Sequence, residues 1–260
     1  MDHLEAGKYW NENAETWTEL ARKGYDIYRD YLNTPAFFSI LPDIKGLRGI
    51  DIGCGEGYNT RLLAEKGALM SAIDISEIFI EKAREVQSAS APIDYRVASA
   101  LQLPFNDEHF DFATGFMSFM DIPETEALFR ESFRVLKKGG FLQFSISHPC
   151  FDTPHRKNLR NALGRTYAIE VGDYFKNVEG EVDEWIFRST PAGEHSNLRK
   201  FKTPRFTRTL NQWMNALISA GFVLEYVHEP RPTEEAIRLQ PKLQDSMIVA
   251  YFLHLRCRKK

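Results

Sequence analysis

A doubly wound α/β fold with a mostly parallel sheet is the class that this 260-residue sequence predicts. Three observations lead there. From residue 47 to 147, short apolar runs alternate with amphipathic segments of roughly ten to fifteen residues, the rhythm of parallel crossovers. Glycines cluster where the first apolar run ends and a helical pattern begins. After a break, the rhythm resumes with one more helix and two strand-like runs, bringing the expected strands to seven.

Each element has a local reason. Trp10, Ala14 and Trp17 share one face at helical spacing, and Pro35 can open a second helix with Thr34 as its cap. LRGIDI (47–52) reads as a buried strand, GYNTRLLAEKG as a helix ending at Gly67, and ALMSAIDI (68–75) as the next strand. Ser76 caps an amphipathic helix running to about Ser88. IDYRVAS (93–99) and HFDFATGFM (109–117) are strands, a helix follows from Pro123, and FLQFSIS (141–147) is a strand. Residues 149–206 read as irregular and aromatic, with EWIFR and NLRKF pairing as a hairpin around PAGEHS. A helix over 207–220, stopped by Gly221, precedes strands at 222–230 and 246–256. One domain of 1–260 is expected: a helical lid (1–45), a ligand-binding half (46–148), a cap insert (149–206) and the rest of the sheet (207–260).

Composition excludes several classes. Hydrophobic content of 43% and a net charge of −3 suit a soluble globular chain and argue against a surface that coats nucleic acid. No apolar run approaches a membrane span, and MDHLEAGKYW lacks the layout of a secretory signal. Cys54, Cys150 and Cys257 show neither metal spacing nor a disulfide framework, so a cytoplasmic protein without a metal is expected.

The glycine turn carries the chemistry. A dinucleotide fingerprint needs a third glycine where Tyr58 stands, so NAD is disfavoured. The order is instead Asp51-x-Gly53-x-Gly55-x-Gly57. An acidic residue ahead of a side-chain-free turn suits a cationic nucleoside better than a pyrophosphate. GIDIGCGEG resembles the first motif of class I S-adenosylmethionine-dependent methyltransferases, in their small-molecule, type 11-like branch. The match extends in order through AIDIS, ASALQLPFNDEHFD and FRVLKKGGFLQFSI, and implies a Rossmann-like fold. The resemblance implies S-adenosylmethionine as cofactor and S-adenosylhomocysteine as product. It implies a cofactor site of Asp51, Gly53, Cys54, Gly55, Asn59, Asp74, Ile75, Ser99, Ala100, Leu101, Phe116 and Met117, with Asp74 on the ribose hydroxyls. Ser99 stands where the family often has Asp before LPF, so the backbone of Ala100 and Leu101 is the alternative reader of adenine.

Tyr9, Trp10 and Trp17 stand where the resemblance implies an aromatic lid over a sulfonium, the alternative being core packing, above all for Trp10. Asn59 faces the methionine tail or caps the turn, and Asp51 either nears the cofactor or fixes the loop by accepting backbone N–H groups. Methyl transfer needs alignment, and a base only when the nucleophile arrives protonated. His148, just past the fifth strand, is the candidate base, the alternative being a turn residue held by backbone. Asp121 faces the same cleft and reads more simply as part of a helix cap. The insert places Phe151, Tyr167, Tyr174, Phe175, Trp185, Phe187, Phe201 and Phe206 where an acceptor would enter. Arg199, Lys200, Lys202, Arg205 and Arg208 form a solvated strand, a site for an anionic small acceptor, or an RNA surface. A small-molecule methyltransferase, monomeric or homodimeric, is the expected function. An RNA methyltransferase and a non-catalytic S-adenosylmethionine-binding module are the alternatives.

Overall fold

The computed structural model describes residues 1–88 and 92–260. The chain opens with α1 (His3–Arg22), started by a capping box on Asp2, and reaches α2 (Thr34–Ser39) through a π-turn over 29–33. Pro35 sits in the first turn of α2 as expected, but Asn33 holds the cap position and Thr34 lies inside the helix. Then come β1 (Arg48–Ile52), α3 (Tyr58–Glu65), β2 (Leu69–Asp74), α4 (Glu77–Glu85) and β3 (Asp94–Val97). The Ser76 hydroxyl accepts from Phe79 N–H at 3.1 Å, the expected cap of α4. β4 (Phe110–Phe116), α5 (Thr125–Val135) and β5 (Leu136–Ser147) complete this half.

The segment expected to be irregular folds as two antiparallel hairpins, β6 (His155–Arg160) with β7 (Thr166–Gly172), and β8 (Glu179–Trp185) with β9 (Phe201–Phe206). Trp185 pairs with Phe201 as anticipated, but the stem runs the other way from there, through 179–184 and 202–206, and residues 186–200 form the connection where most of the expected stem was placed. α6 (Leu210–Ser219) and β10 (Phe222–His228) follow. The last strand starts later than its apolar run suggested. α7 (Glu234–Leu239) and a 3-10 turn over 241–247 come first, and β11 spans Phe252–Lys259.

The sheet order is β10-β11-β5-β4-β1-β2-β3, with β11 antiparallel to both neighbours and the other pairs parallel. The central strands are buried on both faces, hence their continuous apolar runs. Phe129, Trp213 and Leu217 of α5 and α6 pack on one face with Phe144. Leu63, Ile80 and Ala83 of α3 and α4 pack on the other with Phe112 and Phe141. Strand order reverses between β1 and β4. The crevice past the carboxyl ends of those strands is where open α/β sheets take ligands.

α1 closes that crevice and ties it to the insert. Asn11 Oδ1 accepts from Ser76 Oγ at 2.9 Å and Ile78 N at 3.2 Å, docking α1 on the start of α4. Buried Asn13 bonds both backbone groups of Lys202, at 2.9 and 3.0 Å, and so completes the free edge of β9. Trp17, Leu20 and Ala21 pack with Phe187 and Phe201 beside it. Asn13→Ala would leave a strand amide and carbonyl unpaired in a buried place. It is expected to cost about 1–3 kcal/mol, read as a lower melting temperature and faster hydrogen exchange at Lys202. An unchanged exchange rate there would contradict this coupling.

Candidate functional site

A cavity of about 620 Å³ lies over the β1–β4 crevice, between the sheet, α1 and the β8–β9 hairpin. Its floor is the glycine turn. Gly53 has φ +73°, and a Cβ there would lie 2.4 Å from that of Ser118, so no side chain fits. Gly55 has φ +55°, and among the described residues no atom beyond its two chain neighbours lies within 4 Å of where its Cβ would be. The main chain at Gly55 therefore fronts open cavity that a ligand can occupy against backbone.

Asp74 ends β2 beside this turn. Its Oδ2 accepts from Gly55 N at 2.8 Å and its Oδ1 from Ser76 N at 2.9 Å. Each oxygen keeps acceptor capacity, so the carboxylate can take two neighbouring hydroxyl donors. Asp51 is wholly buried and accepts from Thr60 Oγ1 at 2.5 Å and Thr114 Oγ1 at 2.9 Å. It therefore ties α3 and β4 to β1 through hydroxyls and does not hold the loop by backbone N–H groups. Burial pushes both carboxyls up to about 6, against the pull of their hydrogen bonds.

The cavity wall brings together Asp51, Gly53, Cys54, Gly55, Asn59, Asp74, Ile75, Ser99, Ala100, Leu101, Phe116, Met117 and Trp17. Asn59 does not cap the turn; its Oδ1 accepts from Thr34 Oγ1 at 2.9 Å. Ser99 Oγ accepts from Leu101 N at 3.1 Å, so it shapes its own turn. Met117 adopts φ +53°, a left-handed conformation costing on the order of 1 kcal/mol. Its N–H is anchored to Ser145 O at 3.0 Å. That strain sits at the strand-order switch, and nothing in the sequence announced it.

Two expected site residues fall elsewhere. Tyr9 does not line the cavity. The lining residues of α1 are His3, Ala6, Gly7, Trp10 and Trp17, one helical face that Tyr9 misses by a single position. His148 is buried outside the cavity wall, with both ring nitrogens occupied. Nδ1 accepts from Cys150 N at 3.2 Å, which leaves Nε2 to donate to Glu229 Oε1 at 2.7 Å. Its hydrogen bonds are those of a turn residue. The opposite correction applies to Asp121. No side chain caps α5, whose cap position is Glu124, and Asp121 instead lines the cavity.

Sequence reading missed Arg29, Glu56 and Tyr58. Glu56 is buried among Arg22 (3.6 Å), Arg29 (3.6 Å) and Arg61 (2.9 Å), and Arg29 lies 4.0 Å over the Tyr58 ring. The partners come from α1, the π-turn and α3, so no local motif marks them.

Residues 50–144 match the family model described as a methyltransferase domain. A structure titled as an S-adenosylmethionine-dependent methyltransferase from Mesorhizobium loti superposes with a TM-score of 0.68 at 28% identity, covering 86% of this chain and 96% of that one. The chain is a class I S-adenosylmethionine-dependent methyltransferase. Among named relatives, the ubiquinone/menaquinone biosynthesis C-methyltransferase UbiE of Xylella fastidiosa is 29% identical over 62% of this chain and 71% of its own length. The 27-O-demethylrifamycin SV methyltransferase of Amycolatopsis mediterranei is 30% identical over 52% and 47%.

The family implies S-adenosylmethionine, and the residues of this methyltransferase fit it. The open space at Gly55 accommodates a ligand on bare backbone, and Asp74 presents acceptors for two ribose hydroxyls. The walls hold Asp26, Asp51 and Asp74, each pushed up to about 6 by burial, so the methyltransferase offers a surplus of carboxyls to a cationic ligand. A carboxyl raised above its unfolded value near 3.9 binds its proton more tightly when folded. Each contributes stability below about pH 4 and loses it as pH rises through about 6, on the order of 2–3 kcal/mol per group. Ribose hydroxyls and a sulfonium favour the ionised forms. Binding of S-adenosylmethionine is therefore expected to release protons near pH 6 and to tighten from about pH 5 to pH 7, checked by titration calorimetry in buffers of different ionisation enthalpy. Proton uptake on binding would contradict this.

Proposed function

We propose that this methyltransferase modifies a small-molecule acceptor at an O, N or C nucleophile, held under the β8–β9 hairpin against the cofactor loop. The observation that carries the reading is one continuous 620 Å³ cavity that joins the glycine turn to an aromatic wall. Its size falls within the roughly 300–1,000 Å³ of small-molecule sites. Of the insert's aromatics, Tyr174, Trp185, Phe187 and Phe206 line it, Phe201 is buried behind, and Tyr167 and Phe175 face solvent. Relatives named for quinone and rifamycin substrates agree with an acceptor of this kind.

Asp74 would hold the ribose hydroxyls, Gly53 and Gly55 the amino-acid tail, and Ile75 with the 99–101 turn the adenine. S-adenosylmethionine bound there supplies a sulfonium methyl and leaves as S-adenosylhomocysteine. The chain's own task is to orient the acceptor and exclude water. The basic stretch gives little support to RNA. Arg199 pairs with Glu12, Lys202 with Glu184, and Arg205 with Asp152, while Arg208 turns inward onto backbone carbonyls. No described helix is long and apolar enough to cross a membrane.

Calorimetric titration with S-adenosylmethionine and S-adenosylhomocysteine, with NAD as control, tests the cofactor half. S-adenosylhomocysteine release over a panel of quinols, phenols, amines and transfer RNA tests the acceptor half. Turnover on transfer RNA alone would replace the reading.

A further inference from the structure

We infer that Asp121 is a catalytic residue, the group that accepts the O–H of a phenol-like acceptor and takes its proton during methyl transfer. The inference rests on the small-molecule reading of the same cavity. Asp121 follows β4 in a single 3-10 turn, Phe119–Asp121, whose first residue is fixed in the core between Phe129 and Phe144. Its backbone N–H is held by Ser118 O at 3.1 Å. The carboxylate itself has neither a hydrogen-bond donor nor an ion-pair partner among the described residues. The other carboxylates on the cavity wall are engaged, Asp26 by the Arg29 N–H, Asp51 by hydroxyls, Asp74 by backbone N–H groups, Asp152 and Asp183 by Arg205 and Glu56 by three arginines.

The position is also right. Asp121 is within electrostatic reach of Asp74 on the cofactor side and of Asp152 and Arg208 on the cap side, so it stands at the seam where an acceptor would meet the methyl. Burial drives its carboxyl well above the usual carboxylate range, which suits a proton acceptor. The cavity that Asp121 lines is also walled by Trp10, Tyr174, Phe206 and Trp213, and β9, which ends in Phe206, packs on its 3-10 turn.

Arg208 decides between a hydroxyl and an amine. Its guanidinium is pinned to the carbonyls of Ile122 and Pro123, the two residues that follow Asp121, yet it makes no ion pair with Asp121. A fixed positive charge there opposes an ammonium group and favours a hydroxyl whose oxygen gains negative charge as its proton leaves. In the step, the hydroxyl proton passes to Asp121. An oxygen lone pair forms the new O–C bond as the C–S bond breaks, and that electron pair stays on sulfur. The products are a methyl ether, a neutral thioether and a protonated Asp121, which returns its proton to water when the cavity opens.

The test uses the whole chain loaded with S-adenosylhomocysteine, with 2-naphthol, its methyl ether 2-methoxynaphthalene, and 2-phenylethylamine as probes. The wild type is expected to bind 2-naphthol about 10-fold or more tighter than the ether, the worth of one hydrogen bond to a charged group. In Asp121→Leu that preference should shrink to about 2-fold, and Asp121→Glu should restore part of it. S-adenosylhomocysteine affinity should be unchanged in both variants. A preference that survives in Asp121→Leu overturns the inference. So does selective binding of the amine, or no binding of any probe to the loaded protein. Methylation of 2-naphthol should fall on the order of 10²–10⁴-fold in Asp121→Asn with little change in KM. Equal rates, or none in the wild type, overturn the catalytic role. Failure of the wild type to bind S-adenosylhomocysteine would instead sink the cofactor reading on which all of this stands.

Discussion

Asp74→Ala is expected to weaken binding of S-adenosylmethionine and S-adenosylhomocysteine by about 10²–10⁴-fold. Two charge-assisted hydrogen bonds to ribose are worth about 1.5–3 kcal/mol each, and each 1.4 kcal/mol is tenfold in affinity. The substitution also removes the acceptor of Gly55 N–H and Ser76 N–H, so the glycine turn loses its tie to the end of β2. Asp74→Asn separates the two effects. Its amide oxygen can keep one backbone bond, but its NH₂ group cannot accept, so a loss between wild type and alanine is expected. Calorimetry against both ligands reads the result, with circular dichroism to verify the fold. An affinity within a few-fold of wild type in the alanine variant would remove Asp74 from the site.

The second large effect is expected at Gly55. Alanine there carries the cost of a left-handed backbone, about 1–2 kcal/mol, and places a methyl in open cavity where the ligand's main-chain contact would be. Gly139, with φ +80° and equally open surroundings, carries the same backbone cost at the exposed start of β5, outside the cavity wall. Gly55→Ala and Gly139→Ala should therefore lose similar stability in thermal melts, while only the former loses cofactor affinity, by about 10²-fold or more. The pair isolates ligand exclusion from strain. Equal affinities in the two variants would show that the ligand does not lie against Gly55.

Most of the fold was readable because its signals are local. The β1–α3 turn needs glycine wherever φ is positive, the Ser76 cap acts three residues away, and the continuous apolar strands reflect burial on both faces. The hairpins of the insert were half visible. Trp185 and Phe201 marked one pair, but β6 is mostly polar and β7, although it holds Ala168, Ile169 and Val171, is as half-exposed as β6, with no alternation strong enough to announce a strand. The late start of β11 has the same origin, since 241–247 are held as a 3-10 turn by Gln240 and by contacts such as Asp245 with Asn158 that span the chain.

The candidate site divides along the same line. The cofactor wall came from contiguous motifs, and nearly all of its expected residues meet in one cavity. Tyr9 failed because a helix turns 100° per residue and the face toward the cavity passes through Trp10. His148 failed because a residue just past a strand can turn either way, and Glu229, some eighty positions later, holds its ring away from the cavity wall.

By itself, the sequence of this methyltransferase determined the sheet, the glycine turn and the carboxylate at the end of the second strand, since each depends on neighbours within a few residues. Only the tertiary structure decided the acceptor half. It brings His3 and Trp10 into one cavity with Trp185 and Phe206, leaves Asp121 unpaired among the described residues while Asp152 is paired, and turns Arg208 inward. Those properties depend on which side chains meet across long loops, and the free energy that selects them is spread over packing contacts that no short stretch contains.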